Sequence, residues 1–80
     1  MEKNKSDKPD KLTKFQELAE KRVNKAISTI RLVGNLSNIN NYIYTVEQAN
    51  RICSALDTEV RNMKAKFKSE MSKKSAKFKL

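Results

Sequence analysis

The lysines near the C-terminal end of the sequence are the side chains that most clearly point to a kind of partner. Residues 62–80 contain seven lysines and one glutamate, a net charge of +6, whereas residues 1–61 carry a net charge of only +3. A localised cationic segment attracts nucleic acid, a membrane surface or an acidic protein. The seven lysines are Lys64, Lys66, Lys68, Lys73, Lys74, Lys77 and Lys79.

The chemistry of these side chains also limits what they can recognise. A lysine ammonium makes point-charge contacts with phosphate, whereas the arginine fork can read a base edge with two hydrogen bonds. The segment therefore predicts non-specific, salt-sensitive binding to nucleic acid. Two alternatives remain open for this segment. It could only confer solubility, or it could contact a membrane or an acidic protein.

A second candidate site lies in residues 34–45, where asparagines alternate with apolar and aromatic side chains. Tyrosines can stack on bases or fill a partner's pocket, but they can equally close the end of a helical pair. Asparagines are common turn and cap residues as well as recognition residues. The candidate partner-binding residues are Asn35, Asn38, Tyr42 and Tyr44.

The residues that usually form an active site or a metal site are not found in the sequence. It contains no histidine, one glycine and one cysteine, Cys53, so the commonest general base, a phosphate-binding glycine loop and a zinc ligand set are all missing. Acidic residues that lie close together in the sequence, such as Asp57 and Glu59, are interpreted as side chains on solvated helix faces, because Asp57 lies four residues before Arg61. We therefore predict a non-enzymatic protein with no catalytic residues, no metal and no cofactor, in which Cys53 acts as a small apolar side chain.

The elements that position these residues are predicted to be helices, because the sequence has only one proline and one glycine. Apolar residues recur at helical spacing between Leu12 and Val33, so the first helix should span about residues 12–33, with Asp10 or Thr13 as a candidate cap. Gly34 should end this helix in a left-handed conformation.

The second helix should start at Thr45, which forms a capping box with Gln48. Its apolar residues are spaced 4-3-4-3-4, a heptad pattern that predicts a continuous stripe along one side. We expect this helix to fade after Phe67, and we expect an ion pair between Glu47 and Arg51 and another between Asp57 and Arg61. The stripe consists of Ala49, Cys53, Leu56, Val60, Met63 and Phe67.

The predicted fold is an all-α antiparallel helical hairpin, in which an ordered Asn/Tyr loop joins two long helices. Residues 1–10 are expected to be a disordered lead-in, residues 11–67 the helical domain and residues 68–80 a basic tail. Because 80 residues bury little apolar surface, the hairpin is expected to dimerise into a four-helix bundle. Leu18, Leu32 and Ile52 are the residues expected in that second interface.

The compartment is predicted from what the sequence lacks. The N-terminal residues are not followed by the apolar core of a signal peptide, and no stretch approaches the roughly 20 apolar residues of a membrane span. A single cysteine cannot form an intramolecular disulfide. These features predict a cytoplasmic protein.

Residues 30–38, IRLVGNLSN, and residues 41–45, NYIYT, resemble a group of short bacterial helical proteins of unknown function with an IRLIGNLSN…NYxYT core. The resemblance covers about residues 15–67. Val33 replaces the expected isoleucine, and Ile43 stands where a charged residue is more usual. The resemblance implies that residues 34–45 are the signature of the group, which favours a recognition role for that loop.

Two functional hypotheses follow from the sequence. The first is a nucleic-acid-associated accessory or regulatory protein, in which a dimer grips phosphates through its C-terminal lysines. The second is a protein–protein adaptor or inhibitor that docks a partner through residues 34–45, while the lysines only steer the encounter.

Overall fold

Two long helices account for most of the chain. The computed structural model of the protein describes the backbone of residues 7–75 and the side chains of residues 10–73. Helix α1 spans Asp7–Asn35 and helix α2 spans Val46–Ser75, and residues 7–75 contain no strand. The prediction of an all-α fold with two helices is confirmed. The chain divides into two units, Met1–Tyr42 and Ile43–Leu80, and each of them contains one helix.

Helix α1 begins five residues earlier than expected from the sequence. It starts at Asp7, so residues 7–10 are helical, and only residues 1–6 of the predicted lead-in lie outside the described part of the chain. Pro9 is compatible with this start because the first helical turn does not use its N–H groups within the helix. Asp10 and Thr13 both lie inside the helix, so neither of these two candidates caps it.

Gly34 does not end helix α1, contrary to expectation. The helix includes Gly34 and stops at Asn35, and the φ angle of Gly34 is outside the left-handed region. Beyond this point the chain tightens into turns, since Leu36 N donates to the Val33 carbonyl and Ser37 N donates to the Gly34 carbonyl, both at 3.0 Å. Bonds to the third preceding residue are a common way to satisfy the last carbonyls of a helix without a left-handed glycine.

The start of helix α2 is the predicted capping box. Thr45 Oγ1 accepts a hydrogen bond from Gln48 N at 3.0 Å, and Gln48 Oε1 accepts one from Thr45 N at 2.8 Å. The Ala49 N–H also donates to the Thr45 carbonyl at 3.0 Å. These bonds satisfy backbone donors that the first helical turn would otherwise leave unpaired, and they fix the first residue of α2.

Helix α2 continues eight residues beyond the predicted end at Phe67. It reaches Ser75, so residues 68–75 of the predicted basic tail are helical. This segment contains no glycine or proline, and the Lys73 ammonium lies 3.3 Å from the Glu70 carboxylate one turn away. Lysine, glutamate and methionine are good helix formers, and lysine is favourable near the negative end of a helix dipole.

No side chain among residues 10–73 is buried. Even the most shielded apolar residues are only half-buried, namely Leu18, Ala19, Val33, Ala49 and Leu56. The apolar side chains of each helix therefore remain accessible. Of the residues expected in a second interface, Leu18 is half-buried, whereas Leu32 and Ile52 are exposed.

Candidate functional sites on helix α2 and in the connecting segment

The helical conformation of residues 61–75 decides how the C-terminal lysines are arranged. This stretch carries six Lys/Arg residues and one glutamate, a net charge of +5. On a helix each residue advances by about 100° and 1.5 Å, so neighbouring lysines in the sequence point to different sides. The lysines consequently form two groups on α2, and their surroundings differ.

The first group combines one arginine with two lysines, Arg61, Lys64 and Lys68, and we call it the basic face. Their spacing of three and four residues places them within about 60° of each other on one side of the helix. All three are exposed, and they take part in none of the ion pairs among the described residues. The basic face thus presents cations with no intramolecular partner.

Arg61 was not among the predicted site residues, because the charge count singled out the lysines of residues 62–80. The expected ion pair between Asp57 and Arg61 does not form within the described part of the chain, which leaves the guanidinium free. The spacing of three and four residues between Arg61, Lys64 and Lys68 could have indicated that they share one face. That inference requires the helix to continue past Phe67, so that Lys68 is helical. The other expected pair is present, since Arg51 Nη2 lies 3.7 Å from Glu47 Oε2.

The second group, Lys66 and Lys73, lies on the other side of α2 among acidic residues. Lys73 is paired with Glu70 at 3.3 Å, so part of its charge is already compensated. Lys66 lines a shallow groove along the helix, together with the apolar side chains of Met63 and Phe67. Glu59 and Glu70 also line this groove, which therefore has an apolar floor and a rim of both charges.

The remaining predicted lysines are less well defined. Lys74 belongs to the backbone of α2, but its side chain lies outside the described residues. Lys77 and Lys79 lie wholly outside the described part of the chain. Of the seven predicted lysines, the structure therefore places Lys64 and Lys68 on the basic face, together with Arg61, and it places Lys66 and Lys73 on the other side of α2.

Residues 36–45 form the connecting segment, and Asn38 organises its first turn. The Asn38 carbonyl accepts hydrogen bonds from the N–H groups of Asn41 and Tyr42, each at 3.0 Å. Its side-chain Oδ1 accepts a third bond from Asn40 N at 2.9 Å, which makes an Asx turn. The side chain of Asn38 is thus used inside the segment, as expected for a turn residue.

The other predicted partner-binding residues, which lie in the connecting segment or directly before it, are also exposed. Asn35 ends α1, and its carbonyl accepts a hydrogen bond from Asn38 N at 3.3 Å, so the backbone brings Asn35, Asn38 and Tyr42 together. Tyr42 is 47% exposed. Tyr44 belongs to the second unit of the chain and is 38% exposed.

Two isoleucines of the segment are more exposed than either of the predicted tyrosines. Ile39 is 77% exposed and Ile43 is completely exposed. They were not among the predicted residues, because an isolated apolar side chain in a polar segment is usually expected to turn inward. A fully exposed isoleucine instead provides apolar surface for another molecule.

The described residues contain no group of three or more His, Cys, Asp or Glu side chains arranged to hold a metal ion. The thiol of Cys53 is free and exposed. Within the described residues, neither helix is long and apolar enough to cross a membrane. No protein-family model matches the sequence, and no curated protein or solved structure is significantly similar to it.

Proposed function

We propose that the protein is a small, non-enzymatic, cytoplasmic binding protein that contacts nucleic-acid phosphates through the C-terminal half of helix α2 and acts as a homodimer. The observation that carries this proposal is the basic face, where Arg61, Lys64 and Lys68 are exposed and unpaired. A flexible backbone loses conformational entropy when it binds, whereas the backbone that carries these cations is already helical. The lysines outside the described residues add to the same positive charge.

Phosphate contacts are favoured over base recognition for a chemical reason. The basic face contains two lysine point charges and a single arginine, whereas sequence discrimination needs side chains that pair with base edges. The protein should therefore bind duplex or single-stranded nucleic acid with little sequence preference, as expected of an accessory or regulatory factor. Release of counterions should make the binding weaken steeply as salt increases.

The test is fluorescence anisotropy of labelled duplex DNA and single-stranded RNA over a series of salt concentrations. The Arg61→Gln/Lys68→Gln variant should lower the slope of log Kobs against log salt by roughly 2 for each chain on duplex DNA, since each phosphate contact contributes about 0.9. The matched control is Lys21→Gln/Lys25→Gln, which removes the same charge from exposed positions of helix α1.

Equal loss in both variants would show that only net charge matters and that the basic face has no special role. Absence of binding by the unmodified protein at low salt would refute the proposal and make the lysines a feature of solubility. The preferred nucleic acid would identify the class of partner.

The second candidate function is a protein–protein adaptor or inhibitor, and the exposed apolar side chains of the connecting segment favour it. Ile39 and Tyr42 lie in the first unit and Ile43 in the second, and none of them is buried. Here an acidic or apolar partner protein would contact the segment, and the lysines would only raise the rate of encounter. Tyr42→Ala should then abolish capture of the partner, while Lys68→Gln should only slow association.

A further inference from the structure

The apolar stripe of helix α2 is the largest feature that the proposed function leaves without a role. We call the six residues Ala49, Cys53, Leu56, Val60, Met63 and Phe67 the seam, and they fall within about 80° on one side of the helix. None of these residues is buried, and Val60, Met63 and Phe67 are 39%, 47% and 52% exposed. A heptad seam left exposed is a surface for a second helix.

The charges beside the seam indicate which second helix would bind to it. Asp57 and Lys64 each follow a seam residue by one position, so they line one edge, and Glu59 and Lys66 each precede a seam residue, so they line the other edge. Each edge therefore carries one negative and one positive residue, seven positions apart. The groove along the second edge shows this directly, because Glu59 and Lys66 both line it beside Met63 and Phe67.

An edge with this arrangement is complementary to itself when a second copy runs in the opposite direction. In an antiparallel pair, like edges face each other, and Asp57 meets Lys64 of the second copy while Glu59 meets Lys66 of the second copy. Two-fold symmetry doubles each contact, which gives four ion pairs in total. The same register packs Val60 against Met63 of the second copy and Leu56 against Phe67 of the second copy.

A parallel pair fits less well. There the unlike edges face each other, so Glu59 meets Lys64 of the second copy, but Asp57 faces Ile52 and Lys66 faces Met71. The two Glu70 side chains, which continue the heptad, would also meet each other and repel. In the antiparallel pair each Glu70 instead lies opposite Cys53, and its own Lys73 already compensates its charge at 3.3 Å.

We infer that the seam of helix α2 binds the α2 helix of a second copy in antiparallel orientation. This inference rests on the proposed homodimer and specifies its interface. The interface uses Lys64 and Lys66, whereas Arg61 and Lys68 stay on the outer side of the helix. The nucleic-acid experiment alters only Arg61 and Lys68, so dimerisation and nucleic-acid binding can fail separately.

The direction of the helices is tested with Cys53 as a reporter. In the antiparallel register, Cys53 lies opposite position 70 of the second copy, and the two Cys53 residues are about 25 Å apart. A short bismaleimide should therefore cross-link the Glu70→Cys variant into covalent dimers but leave the unmodified protein uncross-linked. The control Cys53→Ser/Glu70→Cys, whose thiols are equally far apart, should also remain uncross-linked.

The charges are tested with two variants of opposite sign. Asp57→Lys/Glu59→Lys makes both edges positive, and Lys64→Glu/Lys66→Glu makes both edges negative. In sedimentation equilibrium each variant alone should show a dimer dissociation constant raised by roughly tenfold or more, and an equimolar mixture should recover the dimer. Circular dichroism of each variant reports whether the helices still form.

Three outcomes would overturn the inference. A monomeric mass of the unmodified protein at about 50 µM would remove the dimer itself. A cross-link between the Cys53 residues of the unmodified protein would show a parallel pair. A dimer that tolerates both charge variants would place the interface elsewhere on the molecule.

Discussion

Thr45 and Gln48 illustrate how much a pair of residues decides on its own. The two side chains exchange hydrogen bonds with each other's backbone N–H groups at 3.0 and 2.8 Å, and helix α2 begins at the next residue, Val46. Gly34 shows the opposite case, because its residue type suggested a helix end and the helix continues through it. Local hydrogen bonds, more than residue identity, determine where these helices end.

The capping box gives the first prediction at this scale. Thr45→Ala removes the side-chain acceptor for Gln48 N, so the free energy of unfolding should fall by about 1 kcal/mol. Thr45→Ser keeps a hydroxyl at the same position and should restore most of the loss. Thermal unfolding followed by circular dichroism measures both variants. An unchanged midpoint in Thr45→Ala would show that the box contributes little to the stability of α2.

Gly34 gives the second prediction. A Cβ atom added to Gly34 would meet no heavy atom within 4 Å, and its backbone is helical. Gly34→Ala should therefore stabilise the protein by roughly 0.5 kcal/mol, because alanine loses less backbone entropy than glycine in a helix. Ala19→Gly, within the same helix, should have the opposite effect. A destabilised Gly34→Ala protein would mean that another molecule approaches the backbone at this point.

At the scale of the element, the continuation of α2 to Ser75 determines how the C-terminal lysines are arranged in space. In a flexible extended tail, the lysines would act as a single cationic segment. On a helix they separate into the basic face and a second group, in which Glu70 partly compensates the charge of Lys73. Arg61 and Lys68 of the basic face lie on the outer side of the helix, away from the seam, whereas Lys64 borders the seam. One element can therefore contact a second copy and an anionic partner together.

The helical state of this segment is itself testable. Ala65→Pro places a proline in the interior of α2, where it removes a backbone hydrogen bond and costs about 3 kcal/mol in a helix. Nucleic-acid affinity should fall although every charge is retained, because the basic face is disrupted. Ser75→Pro, at the last residue of the helix, is the control and should have little effect. Unchanged affinity of Ala65→Pro would show that the lysines act without helical order.

At the scale of the whole molecule, the exposure of the apolar faces is the main physical constraint. No side chain among residues 10–73 is buried, so these residues have no core of their own that would stabilise the helices. Helices in water are stabilised mainly by packing of an apolar face, and isolated helices are only marginally stable. We therefore expect the helices of the described residues to gain stability from the proposed homodimer.

The proposed homodimer predicts an effect of protein concentration. The helical circular dichroism signal per residue and the midpoint of thermal unfolding should both rise between about 1 and about 100 µM protein, because dimerisation stabilises the folded state by mass action. Leu56→Ala should shift the rise to higher concentration, while Leu12→Ala, at an exposed position of the other helix that is not expected in the dimer interface, is the comparison. A midpoint that does not depend on concentration would indicate that a single chain is stable by itself.

The sequence alone determined the helical class, the capping box at Thr45, the seam and the excess of positive charge, because composition, short-range hydrogen bonds and heptad spacing are local properties. It did not locate the start of α1 at Asp7 or the end of α2 at Ser75, since a helix end depends on small energetic differences between neighbouring residues. Only the three-dimensional structure showed that Arg61 joins Lys64 and Lys68, that Lys73 is paired with Glu70, and that the seam residues remain exposed. These facts depend on which side chains are neighbours in space. Spacing along the chain predicts such neighbours only when the start and the end of each helix are known.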